Sequence, residues 1–166
     1  SELRWTDQEI GRMFDELSRI PGGDRTIIVL TSDHGESMGE HNVPSGTHGT
    51  ALYNTLLHVP FMIYVPNNLP RQVAGAVTNL DIVPTIAELT GIDVSEHSFE
   101  GRSLVPQIFY GKADLDRIVF AETNAPTPER AAISERYRYI YYLQNNIVEF
   151  YDRKTDPNEL NNLATA

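Results

Sequence analysis

The chain has 166 residues and a formal net charge of −10, from 13 Lys and Arg against 23 Asp and Glu. Such an acidic surface repels polyanions at long range, which argues against unassisted binding of nucleic acid or of an anionic membrane. No apolar run approaches the roughly 20 residues of a membrane-spanning helix. The absence of cysteine excludes disulfides and cysteine nucleophiles, but it fits a reduced cytoplasm as well as a periplasmic or secreted protein. The compartment therefore stays open.

The chain begins with a pattern typical of an amphipathic helix followed by a strand. Apolar residues recur at helical spacing over residues 6–20, and Thr6 with Glu9 has the spacing of a capping box. Residues 26–31 then form a continuous, mostly β-branched apolar run. A run of this kind indicates a strand buried on both faces, as in a parallel sheet covered by helices.

Further elements follow a loop at residues 32–49, which is rich in glycine and histidine. Short apolar segments and their flanking Gly and Pro residues predict two helices, a strand and a possible short strand. Residues 101–111 are interpreted as a connection. The predicted elements are a short helix at 50–56, a strand at 60–65, a possible strand at 73–77 and a helix at 81–89.

The last third of the chain has the composition of a small antiparallel sheet. Four segments are rich in β-branched and aromatic residues, and Asn145-Asn146 forms a turn between the last two. The predicted strands are residues 117–122, 131–134, 137–143 and 147–151. The fold is therefore interpreted as an α/β portion followed by an antiparallel β-sheet subdomain.

Asp33 and His34 directly follow the predicted strand at residues 26–31. In open α/β sheets, ligands bind outside the carboxyl ends of the strands, so this is the expected place for a site. A carboxylate oxygen and an imidazole nitrogen are both good ligands for a divalent cation. The alternative is structural: Asp33 caps a turn and His34 packs within the loop.

His34, His41 and His48 are spaced seven residues apart, which on a helix would place them on one face. The glycines between them and Pro44 make that helix improbable, so each histidine has to be considered alone. A lone histidine in a loop is more often a hydrogen-bonded or surface residue than a catalytic group.

Several short motifs, in colinear order along nearly the whole chain, resemble the sulfatase family of the alkaline-phosphatase superfamily. Each motif is weak alone, and the ordered set is specific. They are TSDHGE at residues 31–36, GEH at 39–41, HG at 48–49, HVP at 58–60, NLDIVPTI at 79–86, GRSL at 101–104, EFYD at 149–152, and the closing Asp156, Pro157, Glu159 and NLA at 162–164.

The resemblance implies roles for individual residues. Asp33 and His34 stand where the family ligates its divalent cation, with calcium as the first expectation and magnesium or manganese as alternatives. His48 stands where the family has a Lys or His that reaches the sulfate ester or its leaving group. Glu36 and His41 match common family positions and are assigned to support of the loop.

The resemblance also shows what this sequence lacks. The family's nucleophile is a formylglycine made from the first residue of a C/S-x-P-x-R motif, which this sequence does not contain. The segment most similar to this motif, residues 126–130, has proline at the nucleophile position and follows Asp33 instead of preceding it. Two protein ligands would also leave a calcium or magnesium ion underligated. The sequence therefore predicts half a site and little or no turnover by the chain alone.

The implied architecture is the latter part of a sulfatase-like α/β/α sandwich at residues 1–107, followed by a small antiparallel subdomain at 108–166. An exposed sheet edge in such a chain could pair with a second copy and form a homo-oligomer. Two other functions stay open. One is a phosphodiesterase, phosphonate hydrolase or phosphoglycerol transferase of the same superfamily, and the other is a non-catalytic binding module.

Overall fold

An 18-residue amphipathic helix, α1 (Glu2–Arg19), begins the described part of the chain, which comprises residues 2–124 and 126–165 of the computed structural model. The helix starts four residues before the predicted range of 6–20. Thr6 lies inside it, and its hydroxyl donates to the Glu2 carbonyl at 3.1 Å. The capping box predicted at Thr6 was therefore wrong, because an acidic residue in the first turn already favours helix from Glu2 onwards.

The chain divides into two units, and the first contains Ser1–Leu30 and Phe61–Pro70. Strand β1 (Ile28–Thr31) pairs with β2 (Phe61–Tyr64), its only partner among the described residues. The residues of β1 are half-buried, whereas the sequence predicted burial on both faces. An apolar cavity of about 330 Å³ lies in this unit, lined mainly by α1, β1 and β2. Pairing of two copies through a sheet edge stays a prediction.

The second unit contains Thr31–Pro60 and Arg71–Ala166. Two predictions for its first half were wrong. Residues 73–77 form only a single bridge, between Gly75 and Asp114, and the predicted connection at 101–111 contains a helix. The helices of this unit are α2 (Asn54–Leu57), α3 (Ile82–Thr90) and α4 (Val105–Tyr110). No helix in the described ranges is long and apolar enough to cross a lipid bilayer.

The predicted antiparallel sheet is confirmed, with its four strands in the order β3-β4-β5-β6. One face of the sheet buries alternate residues against α2 and the segment before it, and this contact forms the core of the second unit. The strands are β3 (Val119–Thr123), β4 (Glu129–Ile133), β5 (Tyr137–Tyr142) and β6 (Ile147–Asp152). The core residues are Ala51, Leu52, Tyr53, Leu56, Ala131, Ile133, Ile140 and Tyr151. A domain boundary near residue 107 stays a prediction.

The backbone at Gly35 packs directly against α2. The Gly35 N–H donates to the Leu56 carbonyl at 2.8 Å, and a Cβ placed on Gly35 would lie 2.0 Å from the Thr55 carbonyl oxygen. No side chain fits at that distance. Glycine is therefore required here by close approach of two backbones, and this approach fixes the loop relative to α2.

We expect Gly35→Ala to destabilise the protein by about 3 kcal/mol, since either the loop or α2 must move to admit the methyl group. Gly46→Ala in the same loop is the matched control. Gly46 has a φ of +75° with open space around its Cβ position, so it should lose only about 1 kcal/mol from left-handed strain. Urea unfolding of both variants measures the difference, and equal losses would contradict the packing role of Gly35.

Glu129 is an acidic residue buried in β4, with 3% of its surface exposed. Burial raises the pKa of Glu129 above its ordinary value. Below the ordinary Glu pKa, Glu129 is protonated in both the folded and the unfolded chain, and its stabilising contribution to the free energy of unfolding is fully present. That contribution is lost as the pH rises through the higher pKa of the folded state, because the unfolded chain ionises first. We expect Glu129→Gln to raise the urea midpoint at pH 7 and to change it little near pH 4. A variant less stable than the wild type at pH 7 would contradict this.

Candidate functional site

The loop that follows β1 places Asp33 and His34 at the surface of the second unit. The Asp33 carboxylate accepts the backbone N–H of His34 at 3.0 Å, and the Ser32 hydroxyl donates to the His34 carbonyl at 2.7 Å. The His34 backbone N–H, followed by the field of the His34 ring, holds the pKa of Asp33 below its ordinary value. Asp33 is therefore an ionised, solvent-accessible carboxylate at neutral pH.

The His34 ring is held by a hydrogen bond to its neighbour. Nδ1 of His34 lies 2.7 Å from the Gly35 carbonyl oxygen, and because a carbonyl can only accept, Nδ1 carries the proton. The neutral ring then has its lone pair on Nε2, which lies 3.6 Å from Oδ2 of Asp33. This is the arrangement that metal-binding histidines use, with one nitrogen donating to a carbonyl and the other free to ligate.

The Asp33–His34 pair fits two positions of a metal coordination shell. Two ligand atoms bound side by side to one divalent cation lie about 3–4 Å apart, and the 3.6 Å between Oδ2 and Nε2 falls within that range. In the described part of the chain, no group of three or more His, Cys, Asp or Glu side chains is arranged to hold a metal ion. The pair therefore fits a divalent cation as part of a larger ligand set.

His48 lies against the same pair. Its ring stacks on the His34 ring with centroids 4.1 Å apart and an interplanar angle of 13°. Nδ1 of His48 lies 3.7 Å from Oε1 of Glu36, and more than half of the His48 side chain is exposed. The structure thus brings together Asp33, His34 and His48, although they are separated by up to 15 positions in the sequence.

The other loop histidine, His41, lies apart from this group. Its ring stacks on Tyr53 at 3.8 Å, and its backbone has a φ of +55°. The contact ties the loop to the buried segment before α2. This geometry is consistent with the supporting role expected for His41.

Asn79 is a residue of the site region that the sequence did not single out. Its side-chain amide donates to the Ser32 carbonyl at 2.9 Å, and its carbonyl oxygen accepts the Thr31 hydroxyl at 3.0 Å. Asn79 therefore braces the backbone that leads into Asp33. Asn79 begins the NLDIVPTI motif, which was the one sequence signal that pointed to it. Nothing in the local sequence pattern links Asn79 to Thr31 and Ser32, which lie 48 and 47 positions earlier.

Asp81, at the start of the helix predicted over residues 81–89, is a buried carboxylate that binds several groups at once. Its carboxylate accepts the Thr78 N–H in a capping box, and it also receives two hydrogen bonds of 2.7 Å from the buried Arg117. Burial alone would raise the pKa of Asp81. The Arg117 guanidinium and backbone N–H groups outweigh that effect and leave the pKa below its ordinary value. The pair joins the start of α3 to the segment before β3.

Comparison with known proteins gives the family of this chain. The family model described as Sulfatase matches residues 1–92, which is more than half of the chain. Among curated proteins, a Delta 4,5-hexuronate-2-O-sulfatase of Bacteroides thetaiotaomicron is 31% identical over 97% of this chain and 35% of its own length. A sulfatase of Formosa agariphila is 36% identical over 98% of this chain and 31% of its own length.

A solved structure agrees with the sequence comparison. It is described as a complex with its substrate D-glucosamine-2-N,6-O-disulfate, and it superposes on 95% of this chain with a TM-score of 0.81 and 27% identity, using 34% of its own length. The chain spans about a third of the length of these relatives and matches their C-terminal portion. The ordered motifs, the family model and the shared fold agree: the chain belongs to the sulfatase family.

Proposed function

We propose that the chain is the C-terminal portion of a sulfuric ester hydrolase, in which Asp33 and His34 hold a divalent cation and His48 acts on the sulfate ester. The observation that carries the proposal is the placement of the His48 ring against His34, beside an ionised Asp33. One exposed loop thus carries two proposed metal donors, Asp33 and His34, and a proposed proton donor, His48.

The metal-binding part of the proposal depends on the donor atoms. Oδ2 of Asp33 and Nε2 of His34 are the atoms left free by the hydrogen bonds of the loop. A bound divalent cation would supply Lewis-acid stabilisation of negative charge on the sulfuryl oxygens. Carboxylate and other oxygen donors suit calcium, magnesium and manganese, so calcium is proposed first with magnesium and manganese as alternatives.

The proposed role of His48 is proton transfer or charge neutralisation at the ester. A histidine titrates near neutral pH, so it can donate a proton to a departing alkoxide or pair with a sulfuryl oxygen. Glu36, whose carboxylate oxygen lies 3.7 Å from Nδ1 of His48, orients the ring. More than half of the His48 side chain remains accessible to a substrate.

The remaining parts of the reaction are proposed to come from outside these 166 residues. The chain has no C/S-x-P-x-R motif, so a formylglycine nucleophile and the other metal ligands would be supplied by another segment. The substrate class is a sulfate monoester. Because the relatives include a hexuronate sulfatase and a complex with a disulfated glucosamine, a sulfated sugar is proposed as well as an aryl sulfate.

Manganese binding by the 166-residue chain tests the metal assignment. With two protein ligands, we expect weak binding, with a dissociation constant of order 10⁻⁴–10⁻³ M. Asp33→Asn and His34→Gln should each weaken it by about tenfold or more, because each removes one of the two donors. Free Mn²⁺ measured by electron paramagnetic resonance gives the bound fraction directly.

Asp93→Asn and His97→Gln are matched controls for these variants. Asp93 is an exposed aspartate of the same unit that also accepts a backbone N–H, from Ser95 at 2.9 Å, but it is not assigned to the site. Both controls should bind Mn²⁺ like the wild type. Equal binding by all four variants would contradict the assignment of Asp33 and His34.

A further inference from the structure

Arg138 of β5 and Glu159 of the C-terminal tail form a buried ion pair. Each is only 1% exposed, and Nε of Arg138 lies 3.2 Å from Oε1 of Glu159. Burial is the largest effect on Arg138 and lowers its pKa to about 10, so the guanidinium stays charged at neutral pH. Charged side chains are seldom buried this completely, and apolar residues of similar volume often give equal or greater stability. We therefore expect the pair to have a role besides stability.

The pair holds the N-terminal end of α2. Oε2 of Glu159 accepts the backbone N–H of Asn54, the first residue of α2, at 2.8 Å. Nη1 of Arg138 donates to the Leu52 carbonyl at 2.9 Å, and Nη2 lies 3.3 Å from the Asn54 side-chain oxygen. The orphan N–H of a short helix and the carbonyl just before it are thus bound by one ion pair.

The loop that carries Asp33 and His34 contacts the other end of α2. The Leu56 carbonyl accepts the Gly35 N–H at 2.8 Å, and the Gly35 backbone lies too close to Thr55 for any Cβ. The Gly35 carbonyl in turn accepts Nδ1–H of His34 at 2.7 Å. A continuous series of contacts therefore runs from Glu159 through α2 and Gly35 to the His34 ring.

We propose that Arg138 and Glu159 are positioning residues for His34: by fixing α2, they hold the Gly35 carbonyl where it keeps the proton on Nδ1 and leaves Nε2 free for a metal. The inference rests on the proposed function of His34 as a metal ligand. It assigns the C-terminal sheet and tail a part in preparing the site, although neither contributes an atom to it. The Gly35 carbonyl is the outer-shell partner of His34, and loss of such a partner typically changes metal affinity by 10–100-fold.

The double variant Arg138→Met/Glu159→Leu tests the proposal, because it removes both charges while filling the buried space with apolar side chains of comparable size. The first readout is the tautomer of His34 in the metal-free 166-residue chain at pH 8.5, from ¹⁵N shifts of the ring nitrogens assigned with His34→Gln. We expect the wild-type His34 ring to be mainly in the Nδ1–H form. In the double variant we expect the Nδ1–H form to be no longer the major tautomer. The second readout is Mn²⁺ affinity, expected to fall by about tenfold.

Asn54→Pro keeps the proposal testable if the double variant does not fold. Proline is tolerated at the first helical position, and Tyr53 before it has the extended backbone that proline requires. The substitution removes the N–H bound by Glu159 and the side-chain oxygen near Nη2 of Arg138, and it leaves both members of the ion pair in place. It should shift the His34 tautomer and Mn²⁺ affinity in the same direction, by a smaller amount.

Glu159→Gln and Ile140→Val separate positioning from stability. Glutamine keeps an oxygen that can accept the Asn54 N–H, so it should retain most of the His34 signature. Ile140 is fully buried in β5, and Ile140→Val should lower the urea midpoint without moving either readout. A folded double variant or a folded Asn54→Pro with the wild-type tautomer would overturn the proposal, as would an Ile140→Val variant that changes it.

The two readouts also distinguish this inference from the proposed function. If the wild type binds no Mn²⁺ but the tautomer shifts as expected, the metal assignment fails and the positioning contact stands. If Mn²⁺ binding depends on His34 but the tautomer and affinity ignore Arg138 and Glu159, the positioning role fails and the metal assignment stands.

Discussion

The close approach of Gly35 to α2 is the contact on which the candidate site depends. It places the backbone of the loop that carries Asp33 and His34 against a helix of only four residues, Asn54–Leu57, which is too short to be stable alone. The helix persists because Leu56 and the segment before it are buried against the antiparallel sheet. The geometry of His34 is therefore set by packing that lies far from it in the sequence.

Buried charge reinforces the second unit at two places. Asp81 with Arg117 and Arg138 with Glu159 are almost completely buried, and each pair also binds backbone groups of other segments. Such pairs contribute little net stability relative to apolar residues, but losing one partner is costly because the other is left buried and unpaired. Each pair therefore links segments that lie far apart in the sequence, Asp81 with Arg117 and the segment before α2 with the C-terminal tail.

Local sequence signals predicted the elements that are locally determined. The four strands of the antiparallel sheet and the turn at Asn145-Asn146 follow from composition and alternation, and the motif at residues 31–36 identifies Asp33 and His34 as candidates. Helix α4 was missed although Pro106 near its start and Gly111 directly after its end are local helix signals. Other missed features have non-local causes, since Arg138 and Glu159 lie 21 positions apart in the sequence and meet only in the fold. The contact of His48 with His34 likewise depends on loop folding that periodicity does not describe.

The chain belongs to the sulfatase family, and we propose that Asp33, His34 and His48 form one part of its active site, with the packing of α2 on the C-terminal sheet positioning His34. The position of a bound metal ion is the most direct test of this proposal. Crystals of the 166-residue chain soaked in Mn²⁺ and measured for anomalous scattering give that position. We expect a peak within about 2.5 Å of both the Asp33 carboxylate and Nε2 of His34. A peak confined to other acidic residues such as Asp93, or none beside His34, would contradict it.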